Sequence, residues 1–514
     1  MAADQRWVPL LIVIFTAVFR LVLLAIKPPH FDEGINGWFV DQMIKDGYYE
    51  YDPANYHGPL HFYILFLFKI MFGRNLWALR LPTVIVSAAT VWLVTRFDRF
   101  IGRRACWIAA LAMAVSPAME FYGRYAIHEA EMVFFLILAF WGGAGIWRFG
   151  GVKYLWAAAL GATGMVLTKE TYIIHFTAFA LAAPCAWVLE KILPSSEPPP
   201  VAPDRHYSTG QLCVVGGVCA GLIIFFYSGN FLDFSLLKGL YQTFGEWVKT
   251  GQSGQSGHEK VWHYWFQLIW HYEWPALAGM VFSLFYIWPK SDRFIRYLMI
   301  YAWGTFTVYS IVRYKTPWCI ITIMWPFLFV FGHFTAQLLD VKKWNLAAVP
   351  ATALLLLASF FVSARLSFFH YVDDSEEYVY VQTFNDIHKL TDPLFKLVAE
   401  DPVNYQLKGN IIMESSYPLP WVLGDFTHVG YYEKSVPDDD DMDAAFLLVD
   451  DDDEEKVQKA LKENYFIDGF HLRNSQDPVK LYLSYKTFHQ FFPGRKPDFV
   501  QGLAVPADTG PKKK

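Results

Sequence analysis

Residues 7–34 read WVPLLIVIFTAVFRLVLLAIKPPHFDEG. The apolar run Trp7 to Ile26 is as long as the roughly 20 residues a helix needs to cross hydrocarbon. Its flank, Lys27-Pro28-Pro29-His30, offers no small-residue cleavage site. The run therefore reads as a signal anchor rather than a cleaved signal peptide. Two carboxylates, Asp32 and Glu33, follow at once. So close to hydrocarbon, a carboxylate is costly unless it is paired or put to use. This stretch predicts a membrane protein with chemistry at its surface.

The rest of the chain agrees. Of its 514 residues, 54% are hydrophobic, 18% aromatic and only 18% charged, where a soluble domain carries about a quarter charged. Disordered, fibrous and disulfide-scaffold classes are excluded. A net charge of −5 without a basic stripe argues against a nucleic-acid partner. The charge is unevenly placed: 27 acids against 16 bases from Arg365 onward, and 21 against 27 before it. We expect a membrane domain over 1–364 and an acidic, soluble domain over 365–514. The five cysteines, Cys106, Cys185, Cys213, Cys219 and Cys319, fall in apolar runs without metal-ligand spacing and read as small buried hydrophobes.

Further apolar runs lie near 80–96, 105–118, 132–147, 154–168, 172–190, 212–228, 274–289, 297–312, 318–338 and 345–363. The dozen apolar residues from His61 to Phe72 suit an interfacial or re-entrant helix better than a span. If they do not span, the basic clusters Arg96/Arg99/Arg103/Arg104, Arg148/Lys153, Lys191/Arg205, Lys290/Arg293/Arg296 and Lys342/Lys343 all fall on the cytoplasmic side. That choice gives about eleven spans and a cytoplasmic N-terminus. The Pro194–Pro200 linker then divides six spans from five. Segments 27–80, 119–131, 169–171, 229–273, 313–317 and the tail face the other way.

In the tail, Tyr378–Ala399 and Glu454–Asn464 read as helices. Asn410–Glu414, Ala444–Asp450 and Val479–Tyr485 read as short strands, which makes a small α/β domain. The acidic runs Asp438–Asp441 and Asp450–Glu455 read as a solvated face and a helix start, without the EF-hand spacing calcium would need.

The polar motifs gather in the outward segments. Asp32 is either a helix N-cap or a general base taking a proton from an acceptor hydroxyl. His57 and His61, four apart, straddle a helix start at Pro59 and make a weak metal pair. The second loop carries Ser116-Pro117, then Tyr122-Gly123-Arg124-Tyr125-Ala126-Ile127-His128-Glu129-Ala130-Glu131. There Glu129 either holds a cation or a sugar, or pairs with Arg124 as structural glue. Lys169-Glu170 and Arg313-Tyr314-Lys315-Thr316-Pro317-Trp318 place cations where an anionic headgroup would lie, or where lysines and arginines snorkel. The Gly/Ser-rich stretch 251–260, with His258 and Glu259, reads as a lid.

Together the Asp-Glu first loop, Tyr-His-Gly-Pro-Leu, Ser-Pro…Tyr-x-Arg…acid and Lys-Thr-Pro-Trp resemble the GT-C superfamily. These are integral-membrane glycosyltransferases that use polyprenyl-phosphate sugars. The protein-mannosyltransferase-like and aminoarabinose-transferase-like proteins are nearest, in a branch associated with lipid-linked sugar flippase activity. The resemblance implies a mainly α, GT-C-like helical bundle in the cytoplasmic (inner) membrane with an extracytoplasmic C-terminal α/β domain. It implies an inverting transfer with Asp32 as base and Glu33 beside it. His57, Arg124, Lys169, Arg313 and Lys315 would bind the donor phosphate. Glu129, where the family usually has Asp, and His128 would face a divalent metal ion or the sugar. The partners implied are a polyprenyl-phosphate-linked sugar, the bilayer and an acceptor that is a protein, lipid or polysaccharide. Two rivals remain at this stage. A lipid-linked sugar transporter would need repeated halves and polar residues at mid-membrane, and no repeat is visible. A non-catalytic scaffold would tolerate the loss of Asp32.

Overall fold

The computed structural model describes residues 7–55, 57–195, 207–253, 257–286, 292–474 and 476–501. Most of the Pro194–Pro200 linker and residues 254–256 of the expected lid lie outside them. The chain divides into two compact units. One holds the chain up to Ile26 together with Phe39–Tyr380; the other holds Lys27–Trp38 together with the chain from Val381.

The first unit is a bundle of apolar helices, and every apolar run read from the sequence contains one. They are Trp7–Leu21, Leu76–Thr95, Arg103–Val115, Glu129–Arg148, Val152–Thr168, Tyr172–Ile192, Thr209–Tyr227, Trp274–Tyr286, Arg293–Ile311, Ile320–Asp340 and Lys342–Phe368. By length and composition, six helical stretches among the described residues can cross a bilayer, and a seventh if Arg103–Val115 and Pro117–Arg124, bent by 61°, form one span. Trp7–Leu21, Leu60–Phe72, Val152–Thr168 and Trp274–Leu284 are shorter apolar helices. Leu60–Phe72 has 13 residues, about 20 Å of helix, short of the hydrocarbon thickness.

Local sequence fixes the helix ends. Asn75 accepts from the Ala78 N–H, and Ser116 caps a turn that opens with Pro117. Ser208 and Gln211 close a capping box. Ile320–Asp340 runs buried through the centre, with Trp325, Phe327, Leu328 and Phe329 fully enclosed. Lys342–Phe368 instead exposes Leu346, Leu354 and Phe361, as a helix facing lipid does. Glu129–Arg148 and Val152–Thr168 form a close hairpin across the left-handed pair Gly150-Gly151. Within it Gly142 lies against the Ala158 backbone and Gly161 against that of Ala139.

The second unit carries a five-stranded sheet of order β2-β1-β3-β5-β4. Its strands are β1 Lys408–Ile412, β2 His428–Tyr432, β3 Phe446–Val449, β4 Tyr465–Phe470 and β5 Val479–Ser484. β1 runs parallel to β2 and β3, while β5 runs antiparallel to β3 and β4. Alternation sorts the side chains. Ile411, Leu448 and Leu481 pack with Leu390, Leu394 and Leu397 of helix Ile387–Glu400. On the other face Ile412, Leu447 and Tyr482 pack with Val457 of Glu454–Ala460. The run Asp450–Glu455 opens that last helix, where acids favour the positive helix end.

The boundary placed at 364/365 falls inside helix Lys342–Phe368. The stretch to Tyr380 stays with the membrane unit because Tyr378 is buried against Tyr122 and Tyr272 and bonds Glu273 (3.2 Å). Residues 27–38 go with the second unit, for reasons of packing given below.

Candidate active site

The second unit holds Asp32 and Glu33 in the first turn of helix Phe31–Asp46. The cap of that helix is built by their neighbours. The Asp32 N–H donates to His30 Nδ1 (3.1 Å), and the His30 N–H donates to Glu33 Oε2 (2.9 Å). This is the reciprocal logic of a capping box with histidine in the first position. Glu33 is fully buried in that role, so its carboxylate acts as structure. The N-cap role open to Asp32 falls to His30 instead. The half-buried Asp32 carboxylate has no hydrogen bond or ion pair with any described residue. It sits at a helix N-terminus, where the positive end of the helix dipole favours a carboxylate.

The first unit gathers His57, His61, His128, Glu129, Glu131, Lys169 and Glu170. The backbone organises them: His57 and Lys169 form an antiparallel bridge, and the Gly58 N–H donates to Thr168 O (2.9 Å). Gly58 is needed there, because a Cβ would lie 2.2 Å from Leu167 O. The ring of His128 lies 4.5 Å from that of His57 and 4.2 Å from that of His61, centre to centre. His61 Nδ1 meets Glu131 Oε1 at 3.0 Å, and His57 Nδ1 lies 3.6 Å from Glu170 Oε2. Lys169 and Glu129 form a buried ion pair. Burial works against the Lys169 charge, but the Glu129 carboxylate outweighs it and holds the ammonium well above its ordinary range. Burial, then the neighbouring histidines and Lys169, push His128 well below its ordinary range. His61 Nε2, His128 Nε2, Glu131 Oε2 and Glu170 Oε2 are buried without a hydrogen-bond partner among the described residues. Such atoms can receive the hydroxyls of a ligand.

Glu129 and His128 do not fit a divalent ion. Glu129 already carries the Lys169 ammonium, which stands where a cation would bind. Among the described residues, the group of three ligating side chains whose donor atoms converge is His370, Asp373 and Glu376. There Glu376 is held by Arg365 and by the Tyr272 hydroxyl. Glu129 does not pair with Arg124 either. Arg124 is fully buried, bonded to Glu120 (3.1 Å) and to the carbonyls of Phe19 and Leu23, with the Phe368 ring over it. These contacts make Arg124 structural.

The loop between Arg293–Ile311 and Ile320–Asp340 carries the other cations. Lys315 is buried, donates to the carbonyls of Val312 and Lys260, and meets no carboxylate among the described residues. Burial pushes its ammonium down to about 8. Arg313 is exposed. His258 and Glu259 are pinned to this loop. Glu259 bridges Tyr314, the Lys315 N–H donates to His258 O (3.0 Å), and His258 Nδ1 meets the Tyr380 hydroxyl (2.7 Å). The reading as a lid meets a fixed two-stranded contact at these two residues. The sequence showed His61 only as a weak metal partner of His57, and Glu131 and Glu170 only as neighbours of Glu129 and Lys169. The four-residue spacing of His57 and His61 was the available signal.

Residues 56–195, which hold the whole histidine–glutamate cluster, match the family model of the dolichyl-phosphate-mannose-protein mannosyltransferases. The structure is similar to crystal structures of ArnT from Cupriavidus metallidurans. To ArnT bound to undecaprenyl phosphate the TM-score is 0.64 at 14% identity, over 93% of this chain and 98% of that one. To apo ArnT the TM-score is 0.61 at 13% identity, over 92% and 97%. The chain shares the ArnT fold. No curated protein sequence matches the chain. The likeness takes in both parts, the multi-span membrane bundle and the C-terminal sheet domain, since nearly the full length of each chain is covered.

Proposed function

We propose that this chain is an integral-membrane glycosyltransferase. It moves a sugar from a polyprenyl-phosphate carrier to an acceptor hydroxyl, at the extracytoplasmic face of the cytoplasmic membrane and with inversion. The observation that carries the reading is Asp32, a carboxylate at a helix N-terminus that no described residue engages by a hydrogen bond or ion pair. The match to a mannosyltransferase family over the histidine–glutamate cluster supports it, as does the likeness to a protein that binds undecaprenyl phosphate.

Asp32 takes the proton of the acceptor hydroxyl as its oxygen attacks the anomeric carbon. The bond from that carbon to the phosphate oxygen breaks, and the electron pair leaves with polyprenyl phosphate. Lys315, whose described partners are carbonyls alone, stabilises the charge growing on the phosphate, helped by Arg313, His57 and Lys169. Glu131, His61 and His128 offer their unpartnered atoms to sugar hydroxyls.

The test is sugar transfer by purified protein in lipid, with a panel of polyprenyl-phosphate hexoses and a crude acceptor extract, reading release of polyprenyl phosphate. Wild type should release it, and Asp32→Asn should be slower by about 100-fold or more. Equal release by both would remove Asp32 as base. No release with any donor would favour a transporter or scaffold.

A further inference from the structure

The start of helix Phe31–Asp46 packs on the C-terminal sheet domain of its own unit. Gly34 and Gly37, three apart, share a helix face. A Cβ on Gly34 would meet Pro418 Cα at 2.5 Å, and one on Gly37 would meet the Trp421 ring at 2.4 Å. Both glycines therefore serve a close approach. Tyr417 makes T-shaped ring contacts with Phe31 and with Trp38, with ring centres 6.0 and 6.5 Å apart. Gln382 donates to the Pro28 carbonyl (3.0 Å). Arg473 completes the contact, its guanidinium lying 4.3 Å from the centre of the Phe31 ring.

Arg473 is itself fixed. It is 2% exposed. Its Nη2 donates to Ser415 O (2.6 Å) and Oγ (3.0 Å), and its Nε donates to Gln476 Oε1 (3.1 Å). Phe31 is thus held between a rigid cation and Tyr417, one residue before Asp32. Burial pulls Arg473 down to about 10, and the Asp32 carboxylate opposes that pull. The two are close enough to feel each other, yet they form no ion pair, so the carboxylate stays open to an acceptor.

We propose that Arg473, supplied by the C-terminal domain, is a positioning residue for the transfer reaction: it clamps Phe31 and thereby aims the Asp32 carboxylate beside a fixed positive charge. The proposal rests on Asp32 acting as the base. It gives the C-terminal domain a part in the chemical step. A planar guanidinium suits both tasks, because it stacks on a ring face and stays charged.

The experiment compares full-length wild type, Arg473→Gln, Arg473→Lys, Phe31→Leu and Asp32→Asn in lipid, measuring kcat, donor KM and thermal unfolding. Arg473→Gln should lower kcat by about 10- to 100-fold with donor KM nearly unchanged, since misaiming by an ångström costs that much. Arg473→Lys, which keeps the charge but not the planar stack, should restore part of the kcat that Arg473→Gln loses. Phe31→Leu should lose kcat with donor KM nearly unchanged. Wild-type kcat in Arg473→Gln, or a fall in kcat matched by a rise in donor KM, overturns the proposal while Asp32→Asn stays impaired. Full activity in Asp32→Asn overturns the base assignment and the proposal with it. If Arg473→Gln does not fold, Arg473→Lys decides: reduced kcat with unchanged donor KM and wild-type thermal unfolding supports the clamp, and unchanged kcat overturns it.

Discussion

Lys169 shows what a buried charge requires. Its ammonium is enclosed, and the ion pair with Glu129 offsets that burial. Removing one partner strands the other, at a cost of about 3–5 kcal/mol. Lys169→Met should therefore unfold much earlier in detergent, and the double change with Glu129→Gln should recover part of the loss; equal stability of single and double variants would deny the coupling. Lys315 makes a different prediction. Its ammonium titrates near 8 because burial disfavours the charge. In the proposed role it is charged below that pH and neutral above it. Donor binding should then weaken between about pH 7 and 9, and Lys315→Arg, which stays charged, should flatten that decline; titration of donor KM against pH checks both. The sequence made these lysines visible as cations in polar loops but did not reveal their partners. Glu129 and Lys169 are 40 residues apart, and only packing joins them. The Arg124–Glu120 pair was legible in principle, since four residues separate the two. It was hidden because Ser116–Arg124 reads as a loop, whereas Pro117–Phe121 is a helical turn.

At the scale of elements, a helix lies at each of the eleven apolar runs, but among the described residues only six stretches, or seven with the bent pair, are long and apolar enough to cross hydrocarbon. In the sheet domain, β1, β3 and β5 were also legible, as short apolar runs at the middle of the sheet. The outer strands β2, HVGYY, and β4, YFIDGF, were not. Each carries a glycine, and β2 lies half exposed, so neither shows a clean alternation. Helix Phe31–Asp46 was missed for a related reason: it has almost no apolar face. The Gly58 crossing tests how an element holds the cluster. An added Cβ meets backbone atoms, Leu167 O at 2.2 Å and Thr168 N at 2.7 Å, and backbone yields less readily than a side chain. Gly58→Ala should therefore break the Gly58–Thr168 hydrogen bond, displace His57 from Lys169 and destabilise the protein by about 1–3 kcal/mol. Transfer should fall more than tenfold. Wild-type melting and activity together would show that the bridge is dispensable.

At the scale of the molecule, the sequence divides by charge at Arg365, but compactness divides it elsewhere. Residues 27–38 join the acidic domain that begins more than 340 residues later. Composition cannot signal that exchange, because two glycines and the pair Phe31–Arg473 decide it. The consequence can be tested at Gly34. Its missing side chain faces the Pro418 backbone at 2.5 Å, so Gly34→Val cannot be absorbed by a rotamer change. The first turns of the helix should leave the sheet domain, while the sheet, whose cores do not include Gly34, should keep its own packing. Limited proteolysis of the full-length protein in lipid should then show new cleavage between residues 27 and 38, with the C-terminal domain still resistant. Transfer should be lost at the same time, because Asp32 is no longer held beside Arg473. A Gly34→Val protein that resists cleavage and transfers sugar normally would mean that this contact does not govern the reaction. Cleavage with retained transfer would separate docking from catalysis, leaving Asp32 able to act as base without the clamp.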